Sequence, residues 1–177
     1  MALSTVVTTL IILVVSVLLA GVVTYFAINV TSTRVQEESI TMQKIHVWCD
    51  GDGAAPQAAF LLINTGGRDI VINKITVRGQ TSDWANVKTA VPAATITEDL
   101  AYSSTAFVYT DSGVTTDALT AATGAIVFKS GTSMVIYIDD PDSITINDIG
   151  LTVGITVFTS QAMYYQEANV QAYVAAA

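Results

Sequence analysis

The chain contains one cysteine, Cys49, and one histidine, His46, in 177 residues. A single thiol excludes a disulfide framework within the chain, and a single imidazole excludes a metal centre built on several histidines. Cations are scarce as well, with Lys+Arg 7 against Asp+Glu 15 and a formal net charge of −8. Phosphate-binding surfaces need the opposite balance, so nucleic acid is not an expected partner. Only 12% of residues are charged, about half the share of an ordinary soluble domain. The apolar share of 51% nevertheless excludes intrinsic disorder. No glycine-rich phosphate loop ending in Lys-Ser/Thr and no Gly-x-Ser-x-Gly elbow occurs, which removes two common catalytic frameworks.

The shortage of charge has an address, because no Asp, Glu, Lys, Arg or His precedes Arg34. Residues 2–28 (ALSTVVTTLIILVVSVLLAGVVTYFAI) hold neither charge nor proline, and they exceed the roughly 20 apolar residues that cross a bilayer. A secretory signal would open with basic residues and carry a shorter apolar core. This run therefore reads as a retained part of the working protein. Continued as helix through residue 48, it would extend about 70 Å at 1.5 Å per residue. In this reading Val35, Ile40, Met42, Ile45 and Val47, interspersed with Arg34, Glu37, Glu38 and Lys44, form an amphipathic continuation of the rod.

At 100° per residue, Ala2, Thr5, Thr9, Ser16, Ala20, Thr24, Ala27 and Thr31 fall on one side of the helix. Val7, Leu10, Ile11, Val14, Val17 and Leu18 cover much of the rest. Small and hydroxyl residues let helices approach closely, so the run fits a single-pass anchor or a rod surrounded by copies of itself. Under the second reading the packing residues are Thr5, Thr9, Leu10, Val14, Val17, Ala20 and Gly21. Asn29-Val30-Thr31 is a glycosylation sequon, although its place beside the apolar run argues against its use.

Beyond Val47 the period changes. Seven β-branched or aromatic runs, at 58–64, 69–78, 105–109, 125–129, 133–138, 151–158 and 169–174, are separated by Gly, Asp, Asn, Ser and Pro clusters. Short strands at such spacing predict an antiparallel sandwich. The expected class is α+β: a long N-terminal hydrophobic helix over 1–48, then an all-β, immunoglobulin-like antiparallel sandwich over 49–177. Asn64-Thr65-Gly66-Gly67-Arg68-Asp69 is read as a hairpin whose glycines adopt positive φ.

Candidate chemistry is thin. His46 and Cys49 are three residues apart with no orienting acid evident, which makes a weak nucleophile–base pair. Asp50 and Asp52, and then Asp139, Asp140 and Asp142, are weak candidates for a hard cation. The first pair lacks the closing acid of an EF-hand loop, because Leu61 stands at that position. Both clusters also have the composition of ordinary turns. No catalytic residue and no cofactor is expected.

The stretch Ala2-Leu3-Ser4-Thr5-Val6-Val7-Thr8-Thr9-Leu10-Ile11-Ile12-Leu13-Val14-Val15, followed by a β-rich domain, resembles the archaeal type IV pilin and archaellin superfamily. The Asn64–Ile70 segment is similar to a hairpin found early in such domains. Thr5 departs from the glutamate of bacterial pilins, and no basic leader is present, so the resemblance implies a mature form beginning at Met1. It also implies a pilin: a membrane-resident subunit, handled by a prepilin peptidase and a pilus assembly platform, that polymerises into an extracellular helical filament for adhesion to surfaces or other cells. An archaellin, the subunit of a swimming filament, is the neighbouring reading. A third reading, from a different class, is a single-pass membrane protein with an extracytoplasmic β-domain.

Overall fold

The computed structural model describes residues 2–35, 37–50, 55–92, 95–103, 106–110 and 114–173. Side chains are described within these ranges except at 2, 34, 35, 50, 106–110 and 114–117. The chain divides into two compact units, residues 1–37 and 38–177.

The first unit is one helix, α1 (Ala2–Val35). It stops well short of residue 48, so the expected continuation of the rod is not formed. Within α1 the hydroxyls turn back on their own backbone. Thr8 donates to the Ser4 carbonyl at 2.9 Å, Ser16 to Ile12 at 2.5 Å, Thr24 to Ala20 at 2.8 Å and Thr31 to Ala27 at 2.8 Å. Valine, isoleucine and threonine are indifferent helix formers in water. In hydrocarbon, by contrast, a helix is the one local structure that satisfies every backbone polar group within the segment.

The second unit contains β1 (Ile40–Asp50), β2 (Gln57–Asn64), β3 (Ile70–Val77), β4 (Gln80–Thr81), β5 (Val87–Ala90) and β6 (Ala106–Thr110). These are followed by β7 (Val114–Ala118), β8 (Thr120–Ala121), β9 (Ile126–Phe128), β10 (Ser133–Asp139), β11 (Thr152–Thr159) and β12 (Met163–Tyr173). The strand order is β4-β3-β11-β12-β1-β2-β10-β5-β8, with β9 also on β3, while β6 and β7 form a separate ribbon.

The sheet is mixed rather than antiparallel throughout. β12 runs antiparallel to β11 from Met163 to Asn169, then parallel to β1 from Val170 to Tyr173. One strand thus belongs to two sheets and folds them over a shared core. Phe60, Leu62, Ile136 and Ile138 from one side meet Ile72, Ile75, Val153 and Ile155 from the other, all essentially inaccessible. The immunoglobulin-like antiparallel description is replaced by this mixed arrangement. A parallel neighbour requires a long crossover, and local alternation does not reveal one.

The Asn64–Asp69 segment is not a hairpin, because β2 and β3 lie in different parts of the sheet and share no ladder. It is a corner folded by the buried Asn64 side chain, which accepts from Gly66 N–H at 3.0 Å and donates to the Arg68 carbonyl at 3.0 Å. The tight two-residue turn comes later, between β3 and β4, where Arg78 and Gly79 have φ of 52° and 81°. Two consecutive positive values mark a type I′ hairpin turn.

β1 occupies much of the stretch expected to continue the helix. Ile40, Met42, Ile45, Val47 and Cys49 belong to the inter-sheet core. That is period two with one extra residue. The register against β2 slips between Gln43 and His46, and Lys44 sits there with φ of 50°. A β-bulge of this kind reverses which residues face outward beyond it, placing His46 and Trp48 on the outer face.

Candidate functional site

The outer face of β1, β2 and β10 carries a second, smaller core: Trp48, Ala59, Leu61, Val135 and Tyr137. A strap formed by residues 95–103 lies across it and contributes Ile96 and Leu100, both buried. The strap has no regular secondary structure, so side chains from the sheet hold it. Lys44 Nζ donates to the carbonyls of Thr97, at 2.9 Å, and Glu98. Tyr137 donates its hydroxyl to the Ala101 carbonyl at 2.8 Å, and burial raises the phenol above its ordinary pKa. The buried Gln57 amide grips Ser103 twice, donating to its carbonyl at 2.7 Å and accepting from its N–H at 3.0 Å.

His46 reaches an acidic side chain of the strap. Its Nε2 lies 2.8 Å from Asp99 Oδ1, and its ring stacks on Trp48 with centroids 5.2 Å apart. Trp48 meets Tyr102 edge-on at 6.2 Å, and Tyr102 stacks on Tyr173 at 4.1 Å. Nδ1 of His46 is buried with no hydrogen-bond partner among the described residues. Burial pulls the Asp99 carboxyl upward, but the His46 hydrogen bond and charge, the Leu100 N–H and the Lys44 charge outweigh it. The group therefore titrates below the usual carboxylate value.

Cys49 points the other way, into the inter-sheet core, and is buried. β1 thus holds His46 and Cys49 on opposite faces, and no nucleophile–base pair forms. Asp52 and the side chain of Asp50 lie outside the described residues. Asp139 pairs with Lys88 Nζ at 2.5 Å and accepts from Gln57 Nε2 at 2.7 Å. Asp140 and Asp142 are exposed, and Asp142 accepts from Gln80 at 3.4 Å. A cavity of about 350 Å³ opens between this loop and Asp83 and Asn86. No three His, Cys, Asp or Glu side chains among the described residues are placed to hold a metal ion.

The proposed packing residues Thr5, Thr9, Leu10, Val14, Val17, Ala20 and Gly21 all lie on α1 and are exposed along it. Thr9 donates to the Val6 carbonyl at 2.9 Å, and a side chain at Gly21 would meet nothing within 4 Å. Asn29 is an exposed helical residue. From Leu3 to Thr33, α1 is long and apolar enough to cross a membrane, and none of it is buried.

No family model matches the chain, and no curated protein matches it. Solved structures that align with it include the apo PCuAC domain of PmoF2, at 14% identity and a TM-score of 0.45, covering 77% of this chain and 95% of that one. Another is the copper-bound PCuAC domain from PmoF2, at 15% identity and a TM-score of 0.36, covering 77% and 99%. Neither is a pilin or an archaellin. The expected pilin identity, with its filament for adhesion or swimming, its self-association into a helical homopolymer, its peptidase and platform partners and its contact with surfaces or other cells, is corrected on this finding.

Sequence reasoning did not find Asp99, Gln57, Tyr137 or the outward turn of Lys44. The broken alternation at 40, 42, 45, 47 and 49, which marks a bulged strand, was a signal for Lys44 alone.

Proposed function

We propose that the protein is a membrane-tethered, non-catalytic β-domain, with α1 as a single-pass anchor and residues 38–177 working in water at the membrane face. The observation carrying this reading is the 31-residue span Leu3–Thr33, exposed along its whole length and free of charged side chains. At 1.5 Å per residue it measures about 46 Å, against a hydrocarbon layer of about 30 Å, so it spans with tilt or with its ends among headgroups. The net charge of −8 belongs entirely to residues 34–177. That charge keeps the β-domain soluble and repels it from anionic lipid. A non-catalytic role is supported by the opposed orientations of His46 and Cys49 and by the engagement of Asp139 with Lys88 and Gln57.

The test is alkaline extraction of membranes from cells expressing the full chain, with N-terminal sequencing of the recovered protein. The expected result is a protein that stays in the membrane pellet with residues 2–28 intact. V14K/V17K should release it, because each mid-helix lysine costs about 2.5–3.5 kcal/mol on insertion. Recovery as a soluble chain lacking α1 would make the helix a removed signal and overturn the tether.

A further inference from the structure

The strap over the second core is attached to the sheet by a titratable contact. Its own backbone makes no ladder, and Ile96 and Leu100 supply its apolar attachment. Four sheet side chains, Lys44, His46, Gln57 and Tyr137, supply the polar one. Among these, only the bond between His46 and Asp99 can change charge near neutral pH, where an ordinary imidazole titrates. We propose that His46 and Asp99 form a proton-dependent latch on residues 95–103, closed most firmly when the imidazole carries its proton and loosened when the proton leaves.

The geometry sets the sign. With Asp99 ionised, the protonated ring faces an anion 2.8 Å away, and the neutral ring keeps at most a hydrogen bond from Nε2. The buried Nδ1 has no partner among the described residues: it is a bare lone pair when the ring is neutral and an unbonded donor when it is charged. Opening the strap takes Asp99 away from the ring, so strap position and ring protonation are one linked equilibrium. The other charged groups near the ring come from the strap and from β1. Glu98 adjoins Asp99, and the Lys44 charge acts on Asp99 from beside the bulge. β2 presents uncharged Ala59 opposite His46, and beyond Trp48 lie the phenols of Tyr102 and Tyr173. Opening would uncover the apolar side chains of Trp48, Leu61 and Val135 on the outer face of the sheet.

Hydrogen exchange on the full chain in detergent micelles tests this from pH 5 to pH 8, with the peptide covering β2 as the internal reference for intrinsic rates. The strap peptide should lose protection relative to β2 as pH rises, by about two- to five-fold, the size expected of a partly exposed ion pair. D99N should flatten that dependence, and the NMR titration midpoint of the single histidine should fall in D99N. Asp99 is 67% exposed, so this variant is not expected to impair folding. A strap-to-β2 ratio that does not change with pH, or one that changes equally in D99N, would overturn the latch.

Discussion

At the residue scale, two aspartates show how hydrogen bonds shape the acid stability of the β-domain. Asp148 accepts from the Thr145 hydroxyl and the Thr145 N–H, each at 2.8 Å, and from Arg78 Nη1 at 2.7 Å. The Thr145 hydroxyl is the leading cause that lowers its pKa, followed by the Thr145 N–H and Arg78. A carboxyl depressed in the folded state stabilises fully above its unfolded value, about 3.9, and that contribution is lost as pH falls through the folded value. D148N should therefore lower Tm at neutral pH, with the gap from the unmodified protein closing as pH falls below about 4. Thermal melts across pH 2–7 would show it, and a gap independent of pH would contradict it. Asp99 has the same sign of shift, but its exposure lets solvent screen its contribution to stability. The sequence displays Asp148 and Arg78 70 positions apart, and nothing local pairs them.

At the element scale, β1 is the instructive case. Its inward residues step by two, except for one step of three from Met42 to Ile45, across Gln43 and Lys44. Helical faces also mix such steps, so in a run interspersed with Arg34, Glu37, Glu38 and Lys44 the pattern passes for an amphipathic helix. The bulge is also what gives the strap its attachments, because it turns His46 and Trp48 outward and brings Lys44 to the strap carbonyls. Deleting Lys44 would restore unbroken alternation through Cys49. The expected protein folds with stability changed by about 1 kcal/mol or less, while the strap peptide exchanges faster. Urea denaturation and hydrogen exchange read the two effects separately. Loss of folding on this deletion would show that the bulge is required for the core itself.

At the scale of the whole molecule, the two units differ in surface chemistry. α1 exposes Leu, Val, Ile and Phe side chains all along its surface, which water does not tolerate in quantity. Residues 38–177 bury a continuous core of their own. Residues 38–177 alone should therefore be soluble without detergent and unfold in one cooperative step, measurable by circular dichroism melts and size-exclusion chromatography. Aggregation of that fragment would show that the helical unit is needed for the β-domain to stand in water.

The seven predicted strands all correspond to strands in the structure, because buried β-branched runs bounded by turn residues are a local signal. The apolar helix was legible for the same reason: an unbroken apolar run is a property of composition alone. Its end at Val35 was not, since the β-strand that follows is stabilised by β2 and β12 rather than by its own residues. Nor was the parallel pairing of Val47–Asp50 with Val170–Tyr173, which joins positions 123 apart in the chain. The candidate site belongs to this second kind. Asp99, Gln57 and Tyr137 look like unremarkable loop and strand residues until the chain closes. The sequence by itself determined which segment is long and apolar enough to cross a membrane and which carries all the charge, because transfer free energy adds up residue by residue. Only the tertiary structure decided what His46 touches, because a hydrogen bond 2.8 Å long depends on the register of every strand between its partners.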